Sequence, residues 1–474
     1  MPRQRADGNS VDENMCADCP EEKKEKIDAS DILATIIRGK RVEHDCVIIT
    51  GDLVLQASEL IKVQIGPSEL PAVTAPIILT NSVIQGKVTF KDVLFCEAVD
   101  FRGTSFVDKV SFIGSIFRQQ CVFEDAHFYE ATYFSGNDPR IDKHARFIGQ
   151  SNFKKTIFEK YVDFNNVEFR RCAEFGSQNR QESFNNKSIF KGRTIFKGAN
   201  FNGIAHFEAC EFQDTEFRGA RFEKEAYFQN ATFKGYTNFL ETFYKAYTDF
   251  NAATFSGKGV SFAEAIFFGY FTDFRKVLFD GIHGNFRATQ FTGEFVSFRN
   301  AKFRNKSDQE LACRKAKNVL SKGGNRDDEE YHFYKEMEAI RIQKGIRGNS
   351  GLGLGDCLKT DTWSFWKFFL YDVIEWFFVQ KIFGYGVHPY WLFAWWLAFV
   401  VVFAVVYSIK GGIEESEAKQ WYDFFWFSIA TAATPGYALY KPISYFKFIA
   451  GVEAILGTFM WAAFITTFAR KFSR

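Results

Sequence analysis

The chain has 474 residues, and its 59 Lys and Arg nearly balance 57 Asp and Glu. That length exceeds one ordinary core, so two or more domains are expected. A formal net charge of +2 argues against a dedicated nucleic-acid surface.

Residues 1–28 are polar and highly charged, and read as a disordered tail outside any apolar leader. The nine cysteines are scattered, with Cys16-Ala-Asp-Cys19 the one close pair; a lone CxxC in a polar tail reads as reduced and without metal or redox chemistry. Residues 31–39 (DILATIIRG) predict a short helix, with Ile32, Ile36 and Ile37 on one face and Gly39 at the stop. From Val47 the pattern turns β-like, and 29–80 is assigned to an N-terminal cap and the start of a β-structure.

A repeat follows. Phe90, Phe95, Phe101, Phe106, Phe112, Phe117, Phe123, Phe128 and Phe134 are spaced alternately by 5 and 6. The rhythm resumes at Phe147 and again at Phe184, with Tyr244 in one slot, and becomes 7 and 5 from Phe255 to Phe303. This period fits neither a helix nor a strand, but fits a solenoid with one bulky residue inward per side of a coil. The pattern resembles the pentapeptide-repeat family in its Phe-centred form. The resemblance implies a right-handed, quadrilateral parallel β-helix of 22 residues per coil, about ten coils over 81–304. The intervals Phe134–Phe147 and Phe175–Phe184 read as loops leaving a corner. Exposed strand edges at both ends require caps, the second just after Phe303. Residues 81–304 carry 30 Lys and Arg against 26 Asp and Glu, which speaks against an acidic nucleic-acid mimic.

Residues 305–360 read as a helical connector and a Gly-rich linker. Asp327 to Glu330 place acids at the start of its second helix, Arg341 and Lys344 place bases near its end, and Phe333, Met337 and Ile340 form an apolar face. The glycines at 351, 353 and 355 lack the spacing of a phosphate loop. Residues 361–388 read as an interfacial helix: Ser364, Lys367, Tyr371, Asp372 and Glu375 form a polar stripe among tryptophans and phenylalanines.

The last segment, 389–474, organises the functional reading. Pro389 to Ile409 is free of formal charge and Phe448 to Ala469 carries only Glu453, so each run is long enough to cross a bilayer as a helix. Between them Phe427 to Tyr437 (FSIATAATPGY) resembles the pore helix and filter of the two-transmembrane potassium-channel superfamily, and Glu453 to Gly457 resembles its inner helix. The resemblance implies an all-α membrane domain with two transmembrane helices and a re-entrant pore helix, assembled as a homotetramer. The filter is then Thr434, Pro435, Gly436, Tyr437 and Ala438, with Leu439 and Lys441 at the outer mouth. Pro435, Ala438, Leu439 and Lys441 depart from the superfamily's usual Thr-Val-Gly-Tyr-Gly-Asp. A cation pore with weakened potassium selectivity is expected, with potassium-selective and anion-permeable pores as alternatives. Glu453 is expected to brace the filter. Gly457 is open between a hinge and close packing, and Phe464 and Phe468 between a hydrophobic gate and lipid contact. Arg470, Lys471 and Arg474 place the C-terminus, and with two spans the N-terminus, on the cytoplasmic side of the plasma membrane. No Arg-rich span precedes the pore, so gating is not expected to depend steeply on voltage.

The expected function is therefore a tetrameric ion channel with a cytosolic β-helix that scaffolds it or carries a ligand or protein partner. The rival reading is a membrane-tethered repeat module without conduction. No cofactor is implied, and the seven His form no triad or ligand spacing, which argues against an enzyme.

Overall fold

The computed structural model describes residue 19 and residues 25–65, 68–135, 145–176, 187–281, 284–344, 369–409, 412–414, 420–433 and 440–472. The chain forms two compact units that divide between His332 and Phe333.

The first unit is a parallel β-solenoid of about 11 turns over residues 25–303. Its strands, mostly two residues long, stack into four sheets of 12, 11, 11 and 10 strands. Equivalent residues are commonly 22 apart, as in Leu94 with Ile116 and Ser105 with His127. The register lengthens where the Phe rhythm breaks, so that Ile116 pairs with Arg146 and Ile157 with Ile189. The inserted stretches 136–144 and 177–186 lie outside the described residues. Later coils pair Thr254 with Leu278, 24 residues on, following the 7 and 5 spacing.

The interior is a stack of rings. One column runs Phe147, Phe169, Phe201, Phe222, Tyr244, Phe267, with centroids 5.0, 4.9, 4.7, 4.9 and 4.6 Å apart and planes within 5° of parallel. That spacing is the distance between paired strands, so each ring meets its successor without bending the backbone. Rings of adjacent sides meet edge to face, as in Phe153 and Phe164 at 86°.

The 5-residue intervals have a cause that the Phe pattern conceals. A residue with φ near +60° recurs about every eleven positions, at Asp92, Gly103, Gly114 and Asp125, then Lys155 and Asn166. The next N–H closes a tight turn, Thr104 to the Phe101 carbonyl and Ser115 to the Phe112 carbonyl, both 3.1 Å. A left-handed third residue turns the corner with one residue fewer. Several of these positions are Lys, Glu or Ala rather than Gly, which hides the corner from a reading based on turn residues.

Both ends are closed. Helix α1 (Ala29–Ile37) buries Ala29, Ile32 and Ile36, and Asp28 caps it by accepting from the Ser30 N–H at 2.9 Å. Ile37, expected on the same face, is exposed because it lies 100° round the helix from Ile36. Glu25–Asp28, expected to be part of the tail, is a strand paired with Val47–Thr50; the pairing is between backbones and needs no apolar side chains. Cys19 is also not a reduced bystander. It is disulfide-bonded to Cys46, 27 residues away, a partner that folding supplies and sequence proximity does not. Cys16 lies outside the described residues.

At the other end helix α2 (Lys306–Lys322) buries Ala312, Ala316 and Leu320 against the ring stack. The last coil has main-chain N–H groups with no further coil to accept them. Side chains take that role. Asp308 Oδ2 accepts from the Gly284 N–H at 2.7 Å, Tyr331 Oη from Asn300 at 2.8 Å, and His332 Nε2 from Phe298 at 2.9 Å. The last two sit on helix α3 (Arg326–Lys344), which buries His332, Glu336 and Ala339 and leaves the expected face of Phe333, Met337 and Ile340 half-buried. An accepting imidazole at the strand edge outweighs a larger apolar contact there, since an unpaired buried N–H costs about 1–3 kcal/mol.

His332 Nδ1 also donates to the Asp328 carbonyl at 2.6 Å, so both contacts require the neutral ring. Burial lowers its pKa from 6.5 to about 4. The unfolded chain therefore takes up the proton first. Stability is complete above pH 6.5 and falls as the pH drops toward 4, by roughly 3 kcal/mol in all. In urea unfolding of the detergent-solubilised chain, His332→Leu is expected to be less stable than wild type at pH 7 and to lose less on acidification. An unchanged acid dependence would show that another group controls it.

Candidate pore domain

The second unit contains a helix wound with π-type turns (Phe369–Ile382), a turn at Gly384–Gly386, and helices α4 (Pro389–Ile409), α5 (Trp421–Ala433) and α6 (Phe446–Phe472). Helix α4, with 21 residues, and the 24 residues Phe446–Ala469 of α6 are long and apolar enough to cross a membrane. Helix α5, with 13, is too short to do so.

The three helices pack around a shared seam. Helix α4 turns Leu392, Trp396, Val400, Ala404 and Tyr407 inward at intervals of 4, 4, 4 and 3. Helix α5 buries Phe427, Ser428, Thr431 and Ala432, and α6 buries Phe446, Ala450, Glu453 and Gly457. Polar groups from all three converge at one buried point. Glu453 Oε2 accepts from the Tyr407 hydroxyl at 2.6 Å, Glu453 Oε1 accepts from the Ser428 hydroxyl, and Ser428 Oγ lies 2.9 Å from the Val400 carbonyl. Phe427 meets the Tyr407 ring edge to face at 4.9 Å. Two hydroxyl partners meet both oxygens of a carboxyl group that is withdrawn from water there.

The chain between the two long helices is closed at its base. The Glu414 N–H donates to the Lys441 carbonyl at 3.2 Å and the Ile443 N–H to the Gly412 carbonyl at 3.0 Å, with Ile413 and Pro442 bridged antiparallel. Asp423 ties both ends of the enclosed loop. Its carboxylate accepts from the Gln420 N–H at 2.8 Å, its own N–H donates to the Gln420 carbonyl, and Tyr440 Oη donates to it at 3.1 Å. The Asp423 carboxylate supplies the acidic half of a capping box on α5 and also holds the returning chain. Tyr440, the first described residue after α5, is thus back at the start of that helix. The end of α5 is packed beside the middle of the long helices, with Ala432 in a cluster with Trp396 and Val400.

Gly457 is where α6 passes that end. A Cβ there would sit 2.5 Å from the Ala432 carbonyl oxygen and 2.6 Å from its Cα, so the backbones meet directly. Phe464 packs against Phe393 and Trp461, 5.9 and 5.5 Å between centroids, and Phe468 is 5.7 Å from Phe464 and 40% exposed. Lys441 is exposed in the returning strand. Thr434, Pro435, Gly436, Tyr437, Ala438 and Leu439 lie outside the described residues. The polar stripe read in 361–388 is described only from Phe369; Ser364 and Lys367 fall before it. Within 369–382, Gln380 is buried and donates to Glu338 at 3.1 Å and Tyr334 at 3.2 Å, while Trp376, Phe377, Phe378 and Val379 are exposed. Sequence reasoning singled out Glu453 because it is charged, but missed its partners Tyr407 and Ser428. Their spacing from each other is set by packing between helices, not by any motif.

A family model for ion channels matches residues 394–474. This part of the chain is an ion-channel domain. A family model for pentapeptide repeats, in nine copies, matches 196–242 within the solenoid. Comparison with curated proteins and with solved structures gave no match.

Overpacking a backbone contact costs about 1–3 kcal/mol. Gly457→Ala is therefore expected to lower the thermal unfolding temperature of the solubilised chain, and Gly451→Ala, at an α6 glycine with open space around its Cβ position, is expected to leave it unchanged. Equal melting of the two variants would dismiss the close approach at Gly457.

Proposed function

We propose that this chain is one subunit of a tetrameric cation channel whose wall is Thr434 to Ala438. The observation that carries the reading is the closed loop: a helix too short to span enters between two spanning helices, and the chain returns to its start at Asp423. The end of α5 would aim its partial negative charge at the ion path, and backbone carbonyls would replace the ion's water. The Glu453, Tyr407 and Ser428 cluster would hold α5 at fixed depth behind that wall. One chain supplies one side of a pore, and the exposed apolar faces of α4 and α6 offer surface for neighbouring subunits and lipid.

Selectivity for potassium is weakened in this proposal. Pro435 removes an amide donor, Ala438 stands where glycine is usual, and Leu439 and Lys441 exchange an anion for a cation at the outer mouth. Phe464 and Phe468 would narrow the inner end. The segmentation that goes with this reading is a tail to 24, a cap over 25–80 that begins with the strand Glu25–Asp28, the repeat over 81–304, a connector over 305–360, an interfacial helix over 361–388 and the pore over 389–474. Both termini lie in the cytoplasm, with the solenoid as scaffold or regulatory domain, and nucleic acid is not a partner.

The mass of the complex in detergent, with reversal potentials in bilayers under potassium, sodium and chloride gradients, tests this directly. A fourfold mass and a reversal potential that follows the cations are expected, with Lys441→Asp raising cation conductance. A monomer without flux would leave a membrane-tethered repeat module, and a potential that follows chloride would make the pore anionic.

A further inference from the structure

One face of the solenoid holds a polar groove of about 880 Å³ that no part of conduction uses. Its floor is two columns of side chains, one on a sheet and one at the turns that follow its strands. Tyr227, Asp249 and Asp273 line it on successive coils in register, and His206 pairs with Tyr227 one coil before them. Two residues further along the chain, Glu208 and Gln229 stand on adjacent coils, joined by the Ala209 N–H bond to the Gln229 carbonyl.

Arg275, Lys276 and Arg299 bring donors to the lining, yet two acceptor oxygens of the groove go unmet. His206 Nδ1 takes Glu208 Oε1 at 2.8 Å. Asp249 is supplied by the Tyr247 hydroxyl at 2.8 Å, the Gln229 amide at 2.6 Å and the Asn251 N–H at 2.7 Å. Asp273 is held by Arg275. That leaves Glu208 Oε2 and Gln229 Oε1, both buried and both without a hydrogen-bond partner among the described residues. The Glu208 side chain is only 6% exposed, so a carboxylate oxygen that ordinarily takes two bonds is withdrawn from water with none. Exchanging the Gln229 amide atoms does not cure the deficit, since its oxygen would then face the Asp249 carboxylate.

We propose that this groove binds a primary ammonium group of a small organic ligand, its N–H donors shared between Glu208 Oε2 and Gln229 Oε1 beside the Tyr227 and Tyr247 rings. The chemistry selects that class. Two acceptors on neighbouring coils suit a directional donor, and no group of three His, Cys, Asp or Glu able to hold a metal exists among the described residues. The volume suits an organic body rather than a bare ion. The Tyr227 and Tyr247 rings, 5.8 Å apart, line the groove within a column that continues to His206 on one side and Phe271 on the other. A charge-assisted bond to Glu208 anchors the group.

The test is titration calorimetry on the full chain in detergent with n-butylammonium, and with tetramethylammonium, which has no N–H. Saturable binding of butylammonium is expected, with tetramethylammonium and the E208Q variant each weaker by at least about tenfold. No saturation by roughly 10 mM, ten times a weak 1 mM dissociation constant, would overturn the assignment. Equal binding of tetramethylammonium would overturn it as well. Butylammonium binding that survives E208Q lies elsewhere, the pore included, and is equally fatal. If E208Q melts below wild type by circular dichroism, the comparison of the two ammonium ions on wild-type protein decides.

Discussion

Everything in the first unit depends on a coincidence of two lengths. Paired strands stand about 4.8 Å apart, and aromatic rings stack comfortably at the same distance. Aromatic rings on successive coils can therefore stack without the backbone yielding, and the 4.6–5.0 Å between rings of the column from Phe147 to Phe267 follows. The stack is one-dimensional, since each coil meets only its neighbours, so the ends are the weak points. The cap helices answer that weakness with side-chain acceptors aimed at main-chain donors. This explains why a histidine occupies a buried position where apolar residues were available.

The second unit solves a different problem. With lipid outside, apolar burial does little to hold helices together, and polar bonds and close backbone contacts take over. Glu453 with Tyr407 and Ser428 is the polar bond, and Gly457 against Ala432 is the close contact. Together they set how deep the short helix sits. The capped loop at Asp423 sets where the chain comes back.

The solenoid was legible because its signal is periodic: the Phe intervals report coil length, even where it changes to 24. The left-handed corners were not, because Lys155 and Ala209 carry no turn signature and adopt that conformation under the constraint of the coils on either side. The N-terminal boundary was missed for a similar reason, as Glu25–Asp28 joins a sheet through its backbone. The apolar face assigned to α3 was misread because residue polarity does not reveal an unpaired strand edge elsewhere. In the pore domain the spans were legible from length and charge alone. The partners of Glu453 were not, since Tyr407, Ser428 and Glu453 come from three helices whose mutual rotation no local pattern fixes.

The clamp at the base of the loop constrains how the long helices can move. Residues 412–414 and 441–443 lie side by side, joined by two main-chain bonds. At that end α4 and α6 cannot part without tearing both. Separation of the pair is confined to the far end, beyond Gly457, in the manner of tweezers joined at the top.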